Sequence, residues 1–427
     1  MHSHQHIVRS NALWLLADCW GEYKIDMTFP FLRNIRHLFP ACFLILGFMP
    51  GSARAAQQAP TLATFNDLAE LKEFTEQTVA LQLGDTGGLW FRKEGQGTDN
   101  GGTIVDAGPD HHWARQCDPG RLDARWFGVV ADGETDDAPA LQAAIDALPP
   151  GGGKVLLPSG KMLCRQSLRI NRSFITLEGV NCGLLSKFFE PEGIIGTGSL
   201  LLFDSCDGII IQPPPSQEGQ ARPGRLGGVT LRELGIAGTG KQDGQTGVVV
   251  KRGENWGWGS TDGLLLRRIY FIDLTWAAEF TEADITMIDH CWLSECGNGL
   301  RLNNCIYNTI NHTCFADNDG TGIEINGGRC AQITASIFVR NKHHIVINNS
   351  HRDRVLGGVF ESDPHGGPRD DKEFITSNQS HELVVQGAAF HSSTQTIPAA
   401  ILYRGPAPIV EGSTYSGKVE RLTMEGD

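Results

Sequence analysis

The sequence lacks several patterns that would define its chemistry directly. It contains no run of Lys or Arg, no CxxC pair and no Cys/His spacing typical of a zinc site. The net charge of −13 argues against nucleic acid or an anionic membrane surface as a partner. A resident metal cluster is equally unsupported by the cysteine pattern.

Long apolar runs are also missing, apart from the N-terminal stretch ACFLILGFM. This stretch is too short to span a bilayer of ~30 Å. Arg33 and Arg36 precede it and Ala53-Arg54-Ala55 follows it, which is typical of a cleaved signal peptide over residues 27–55. Residues 1–26 are then an extension that belongs neither to the signal peptide nor to the folded domain. We expect a secreted or periplasmic protein that has no membrane contact after cleavage; its oligomeric state stays undetermined.

Helical periodicity is present only once in the remaining chain, at residues 136–148. Leu141, Ala144, Ile145 and Leu148 follow the i, i+3, i+4, i+7 spacing of one helical face. The 52 glycines and the short β-branched runs after this helix favour many strands joined by tight turns. The class predicted is therefore all-β with a single amphipathic helix.

The later sequence, from position 264 to position 363, repeats with a period of about two dozen residues. Aligned positions include two columns, Ile269, Cys291, Cys314, Ile337 and Val359, and next to them Tyr270, Trp292, Phe315, Phe338 and Phe360. Short strands at this period predict a parallel β-solenoid, in which each coil covers the core of the next. The helix is then expected to cover the open N-terminal end of the solenoid with its apolar face.

Residues 126–170 read WFGVVADGETDDAPALQAAIDALPPGGGKVLLPSGKMLCRQSLRI, and FITLEG follows them. This stretch resembles the N-terminal cap and first coils of the pectate-lyase-like right-handed parallel β-helix superfamily. Residues 67–115 are similar to the small β-rich head that precedes such helices in phage tailspikes. The resemblance implies a β-rich head over 56–125, a single-stranded right-handed β-helix over 126–427, and carbohydrate chemistry.

Residues of one solenoid column lie ~4.8 Å apart, so a column of ionisable side chains can form a site. The repeat predicts three such columns: Arg267, Asp289 and His312; Glu279, Arg301 and Glu324; and Asp273, Glu295, Asn318, Asn341 and Asp363. The first offers a cation, a carboxylate and an imidazole, with His290 adjacent. The second is equally explained as a solvated salt-bridge ladder. In the third, the Asn residues are expected to be structural.

Three functions stay open. An enzyme that cleaves a polysaccharide by β-elimination would use Arg267, His290, His312 and Arg301 to neutralise a uronate and remove its C5 proton; it requires no cofactor and leaves room for Ca²⁺. A glycoside hydrolase would use carboxylates from Asp289, Glu295, Glu361 and Asp363. A non-catalytic carbohydrate-binding or scaffold solenoid is the third option. In each case the partner is a bacterial or plant polysaccharide, and Trp256, Trp258 and Glu324 are candidates for binding it.

Overall fold

The backbone winds in successive coils, and strands of consecutive coils pair in parallel, as the repeat predicts. A computed structural model describes residues 63–74, 79–183, 198–215, 224–253, 260–362 and 373–426, which belong to one compact unit, Ala59–Asp427. The predicted extension 1–26 and signal peptide 27–55 lie outside the described residues. No helix within these ranges is long and apolar enough to cross a membrane.

A small β-rich head comes first. Its strands are β1 (Ala63–Phe65), β2 (Val79–Gln82), β3 (Gly88–Glu94), β4 (Ile104–Asp106) and β5 (His111–Arg115), with a 3₁₀ helix at Leu68–Glu73. The strand order is β1-β2-β3-β5-β4, and only β1 and β2 are parallel. Its own core contains Trp90 and Trp113, both fully buried.

The remaining strands form the solenoid. Its first part contains β6 (Arg121–Asp123), β7 (Asp132–Asp136), β8 (Gly153–Leu156), β9 (Gly160–Cys164), β10 (Leu168–Ile170), β11 (Ile175–Glu178), β12 (Ser199–Phe203), β13 (Ile209–Ile211), β14 (Leu226–Gly227), β15 (Thr230–Ala237), β16 (Thr246–Val250), β17 (Thr261–Asp262), β18 (Leu265–Ile272), β19 (Trp276–Thr281) and β20 (Ala283–Asp284), with a 3₁₀ helix at Ala124–Phe127 after β6. Its second part contains β21 (Met287–Asp289), β22 (Trp292–Ser294), β23 (Asn298–Asn303), β24 (Thr309–Asn311), β25 (Cys314–Ala316), β26 (Thr321–Asn326), β27 (Gln332–Thr334), β28 (Ile337–Val339), β29 (His343–Asn348), β30 (Arg354–Leu356), β31 (Val359–Ser362), β32 (Ile375–Asn378), β33 (Val384–Gln386), β34 (Ala389–Ile397), β35 (Ile401–Arg404), β36 (Ile409–Glu411), β37 (Thr414–Val419) and β38 (Thr423–Glu425).

These strands stack into three sheets. A ten-stranded sheet runs from β10 to β38, a three-stranded sheet contains β14, β17 and β20, and a twenty-stranded sheet contains the others. In each coil the twenty-stranded sheet bends at a residue with positive φ; Arg268, His290 and His312 are examples, with φ of 49°, 53° and 45°. We call this column of residues the corner. The architecture is the right-handed parallel β-helix that the sequence predicts.

One α-helix, α1 (Ala138–Asp146), covers the N-terminal end of the solenoid. Its Leu141, Ala144 and Ile145 are buried in the same core as the first coils, so the predicted face is the buried one. The Asp136 carboxylate accepts the amide of Ala138 at 3.3 Å. At the other end, Arg172 donates to the carbonyl of Ile145 at 2.6 Å, which satisfies one of the last carbonyls of the helix.

The interior contains columns in which the same type of side chain stacks on consecutive coils. Phe315, Phe338, Phe360 and Phe390 are buried on consecutive coils, and their ring centroids are 5.0, 4.7 and 4.9 Å apart. Polar columns stack as well. Asn318 and Asn341 are fully buried and joined at 2.7 Å. At the ends of strands in the ten-stranded sheet, side chains bond from coil to coil in a second column: Asn303, Asn326, Asn348 and Asn378.

The register differs from the predicted alignment by one residue from the third coil on. Asp289 pairs with Asn311, Trp292 with Cys314 and Leu293 with Phe315, all at the same separation in sequence, whereas the step from Leu300 to its partner Ile323 is one residue longer. The extra residue of this coil therefore lies in the turn before β26. Ile337 and Val359 do pair with each other, but the predicted steps from Cys291 to Cys314, from Trp292 to Phe315 and from Glu295 to Asn318 are wrong.

Asp353 provides a test of how burial affects stability. Its side chain is 3% exposed, its carboxylate accepts the amide of Ala331 at 2.9 Å, and burial raises its pKa to about 6. A raised carboxyl pKa means that the folded state keeps the proton longer, so this group's stabilising contribution is lost as the pH rises from ~4 through ~6. Between pH 4 and pH 7, the free energy of unfolding should therefore fall by roughly 2–3 kcal/mol less in Asp353→Asn than in the parent protein. Urea unfolding at several pH values measures this, and equal pH slopes for both proteins would contradict it.

Candidate active site

The candidate site lies on the outer surface of the twenty-stranded sheet, next to the corner. β18 and β21 place Arg267 beside Asp289 in register, and the Arg267 Nε is 3.3 Å from one carboxylate oxygen of Asp289. The other oxygen of Asp289 lies 2.9 Å from Nδ1 of His290. Asp289 is thus held between a guanidinium and an imidazole, and only 15% of its side chain is exposed.

His312 reaches this group by a different route from the predicted one. Its column partner is His290, because both residues occupy the corner, and Asn311 takes the place beside Asp289. The two imidazole rings stack with centroids 5.0 Å apart and an angle of 16° between their planes. The structure therefore brings together Arg267, Asp289, His290 and His312, although the assumed column was wrong at its third member.

An aromatic surface adjoins the imidazoles. Trp292, two residues after His290, stacks on Tyr270 of the preceding coil with centroids 6.1 Å apart. Tyr270 is 5% exposed and Trp292 is 43% exposed. The indole of Trp292 is consequently partly exposed to solvent, two residues after His290 in the chain. The predicted alignment placed Trp292 in one column with Phe315 and Phe338, which are buried, and so missed its exposure.

Arg301 and Glu324 belong to a different surface. They lie on β23 and β26 of the ten-stranded sheet, in register with Glu279 as predicted. Arg301 is 3.7 Å from Glu279, 3.1 Å from Glu324, and 3.8 Å above the ring of Trp276. Every charge in this column has a partner, which fits the salt-bridge ladder. Because Arg301 lies on a different sheet from Asp289, the predicted grouping of Arg301 with His290 is wrong.

The predicted carboxylate group assembles only in part: Asp273 and Glu295 occupy the same bend on consecutive coils, where the Asp273 amide donates to the Glu295 carbonyl at 3.2 Å. Glu295 occupies a bend whose next member is Asp317, and Asp317 binds Arg340 at 2.6 Å. Glu361 pairs with Val339 and lies three coils beyond Glu295. The two carboxylate residues are therefore about 14 Å apart along the solenoid. Asp363, Trp256 and Trp258 lie outside the described residues.

A pair of carboxylates that the sequence analysis missed lies in the three-stranded sheet. Asp262 and Asp284 are in register on β17 and β20, and Arg225 is 3.1 Å from the first and 3.8 Å from the second. Burial raises the pKa of Asp284 to about 6. The available signal was that STD at 260–262 and EAD at 282–284 are separated by one period of the repeat.

A cavity of about 700 Å³ opens on the later coils of the same outer face that carries Asp289. Residues of the bend before β24, β27, β30 and β33 form one wall, and outward residues of those strands form the floor. The lining includes Tyr307, Cys330, Arg352, Arg354 and Glu382, with Arg352 and Glu382 paired at 2.7 Å. Thr309 of this cavity shares β24 with Asn311, the neighbour of Asp289.

Asp289, His290 and His312 also form a group of potential metal ligands. Within the described ranges, theirs is the group whose ligand atoms all lie within 4.8 Å of one another. One carboxylate with two imidazoles does not fit Ca²⁺, which takes six to eight oxygen ligands. The expected role for Ca²⁺ has no support at this position.

Known proteins match this chain through its fold. Tailspike protein 2 of Escherichia coli O157:H7 bacteriophage CAB120 superposes with a TM-score of 0.60 at 15% identity, over 83% of this chain and 49% of that one. DFA-IIIase from Arthrobacter chlorophenolicus A6 gives 0.53 at 15% identity, over 72% of this chain and 87% of that one. The chain therefore shares the right-handed parallel β-helix fold of these proteins.

Sequence comparison reaches only a part of this chain. Mannuronan C5-epimerase AlgE1 of Azotobacter vinelandii is 36% identical over 92 residues, which are 20% of this chain and 6% of the relative. No family model matches the chain. Because the chain spans a small fraction of the epimerase and about half of the tailspike, the activities of those proteins do not transfer with the fold.

Proposed function

We propose that this protein is a carbohydrate-active enzyme that cleaves a uronate-containing polysaccharide by β-elimination. The observation that carries the proposal is the hydrogen bond between Asp289 and Nδ1 of His290. A carboxylate on one ring nitrogen orients the imidazole and leaves the other nitrogen, Nε2, to act as a base. Half of the His290 side chain is exposed, so this nitrogen can reach a bound sugar.

The neighbouring groups match the other requirements of the reaction. His290 removes the C5 proton, the C5–H electron pair forms the C4–C5 double bond, and the C4–O4 bond breaks with its electrons on O4. Arg267, 46% exposed, stabilises the negative charge that develops on the uronate. The exposed His312 supplies a proton to O4, and the indole of Trp292 supports the apolar face of a pyranose ring.

The comparisons are consistent with this class of substrate. One relative is a C5-epimerase of mannuronan, and removal of the C5 proton is also the first step of β-elimination. The DFA-IIIase neighbour has been solved with the sugar DFA-III bound. Both support a sugar as the ligand to test first.

A second candidate, glycoside hydrolysis, is favoured by the Asp262 and Asp284 pair. Strands in register place the two residues ~4.8 Å apart along the solenoid, close to the ~5 Å carboxyl separation of retaining glycosidases. Asp284, whose pKa burial raises to about 6, would be the general acid, and the more exposed Asp262 the nucleophile.

Incubation with a panel of polyuronates and neutral polysaccharides separates these candidates. We expect ultraviolet absorbance from C4–C5 double bonds with a uronate polymer, unchanged in Asp284→Asn because that residue lies in another sheet. New reducing ends without absorbance, lost in Asp284→Asn, would replace the proposal by hydrolysis. Inversion at C5 seen by NMR without chain cleavage would replace it by epimerisation.

A further inference from the structure

The geometry points to a second role for this site: Asp289, His290 and His312 form a binding site for one divalent transition-metal ion of the Zn²⁺ type. All three potential ligand atoms lie within 4.8 Å of one another. Oδ1 of Asp289 and Nδ1 of His290 are 2.9 Å apart, a separation that two ligands of one ion can adopt when each bond is ~2.0–2.1 Å. The ion would take the place of the proton between them.

The backbone holds the ligands in place before any ion binds. The amide of His290 donates to the carbonyl of Asn311 at 3.1 Å, and that of His312 donates to Thr334 at 3.1 Å. Both residues are therefore fixed at the bend of consecutive coils. Arg267 holds the second oxygen of Asp289, as groups behind a metal ligand commonly do. Little backbone entropy is then lost when an ion binds.

The donor set selects the type of ion. Two imidazoles and one carboxylate suit Zn²⁺, Cu²⁺, Ni²⁺ and Co²⁺ and leave further positions for water. Mg²⁺ and Ca²⁺ prefer oxygen ligands and gain little here.

Another pair of histidines in this chain provides a matched control. His351 and His381 also stack on consecutive coils, with centroids 5.0 Å apart and planes 10° apart. Among the residues that the structure describes, no third His, Cys, Asp or Glu joins them within metal-binding reach. The two pairs differ in the carboxylate that Asp289 adds, so the control tests whether stacked imidazoles suffice.

Occupation of the site would also affect the proposed reaction. An ion on Nδ1 of His290 leaves the proton of the neutral ring on Nε2, so no lone pair remains to act as the base. Excess Zn²⁺ should therefore inhibit β-elimination. This effect rests on the proposed function, whereas binding of the ion does not.

The test is a titration of the full chain with Zn²⁺ by calorimetry and with Co²⁺ by visible absorption, without sugar. His2, His4 and His6 are replaced by alanine in every protein, because the segment MHSHQH can itself bind metal. We expect one ion per chain, at least tenfold weaker binding for Asp289→Asn, and at least 100-fold weaker binding for His312→Ala. The double variant His351→Ala/His381→Ala should bind as the parent does.

Two results would overturn the site: a parent protein that binds no ion, or variants at Asp289 and His312 that bind as tightly as the parent. Circular dichroism melting shows whether each variant is folded, and His312→Gln provides a second variant with a side chain of similar size. If Zn²⁺ binds as expected and no uronate polymer is cleaved, the metal site stands and the proposed β-elimination fails.

Discussion

Replacement of His290 by alanine should lower kcat on a uronate polymer by roughly 10²- to 10⁴-fold, the range that a positioned general base contributes. The expectation follows from the Asp289 bond to Nδ1, which orients the ring and directs its other nitrogen outward. The ring of His312 stacks at 5.0 Å but forms no hydrogen bond with the described residues, so it is not oriented to replace the base. Initial rates of double-bond absorbance at saturating polymer measure the effect.

Two further variants show whether His290 acts as the base. Asp289→Asn keeps the shape of the side chain but removes the charge that orients the imidazole, so kcat should fall with little change in KM. His351→Ala removes a stacked, outward histidine elsewhere and should leave kcat unchanged. If His290→Ala keeps more than half of the parent's kcat, His290 is not the base and the proposed mechanism fails.

The coil geometry could be predicted because it depends on patterns that repeat. A period of about two dozen residues and one amphipathic helix are sufficient for a capped parallel β-helix. Leu141 and Ile145 are buried as their spacing requires. The ladder of Glu279, Arg301 and Glu324 also has the predicted register. The extra residue lies before β26, so the longer step that the sequence predicts is correct for Glu324.

The grouping at the corner could not be predicted in detail, because a single residue decides it. A one-residue shift changes which face of a strand a side chain occupies. The sequence shows that the third coil is one residue longer but not where the residue is inserted. The structure places it after β25, so His312 stacks on His290 and does not follow Asp289.

Sites on turns or very short strands were missed because the period of the repeat was the one signal they left. Asp262 and Asp284 lie on strands of two residues, too short to show alternation of polar and apolar side chains. The cavity that contains Arg354 and Cys330 depends on the direction of a bend between two sheets. Propensities and spacing identify the residues but not how a bend directs them.

The largest expected change in stability comes from Phe338→Ala. Phe338 is fully buried between Phe315 and Phe360, with ring centroids at 5.0 and 4.7 Å. Its removal leaves a cavity with an aromatic ring on each side, and closure of that cavity would require coils to approach closer than their ~4.8 Å hydrogen-bonded spacing. We expect a loss of about 3–5 kcal/mol in the free energy of unfolding by denaturant titration.

Ile337→Ala is the matched control, since the neighbouring side chain points outward and is 45% exposed. It should change the unfolding free energy by less than about 1 kcal/mol. Because each coil contacts only its neighbours, hydrogen exchange in Phe338→Ala should accelerate most in β25, β28 and β31 and least in α1. Equal losses for both variants would show that the aromatic column does not carry the core. Uniform acceleration that includes α1 would show that the β-helix unfolds as one unit despite its repeated construction.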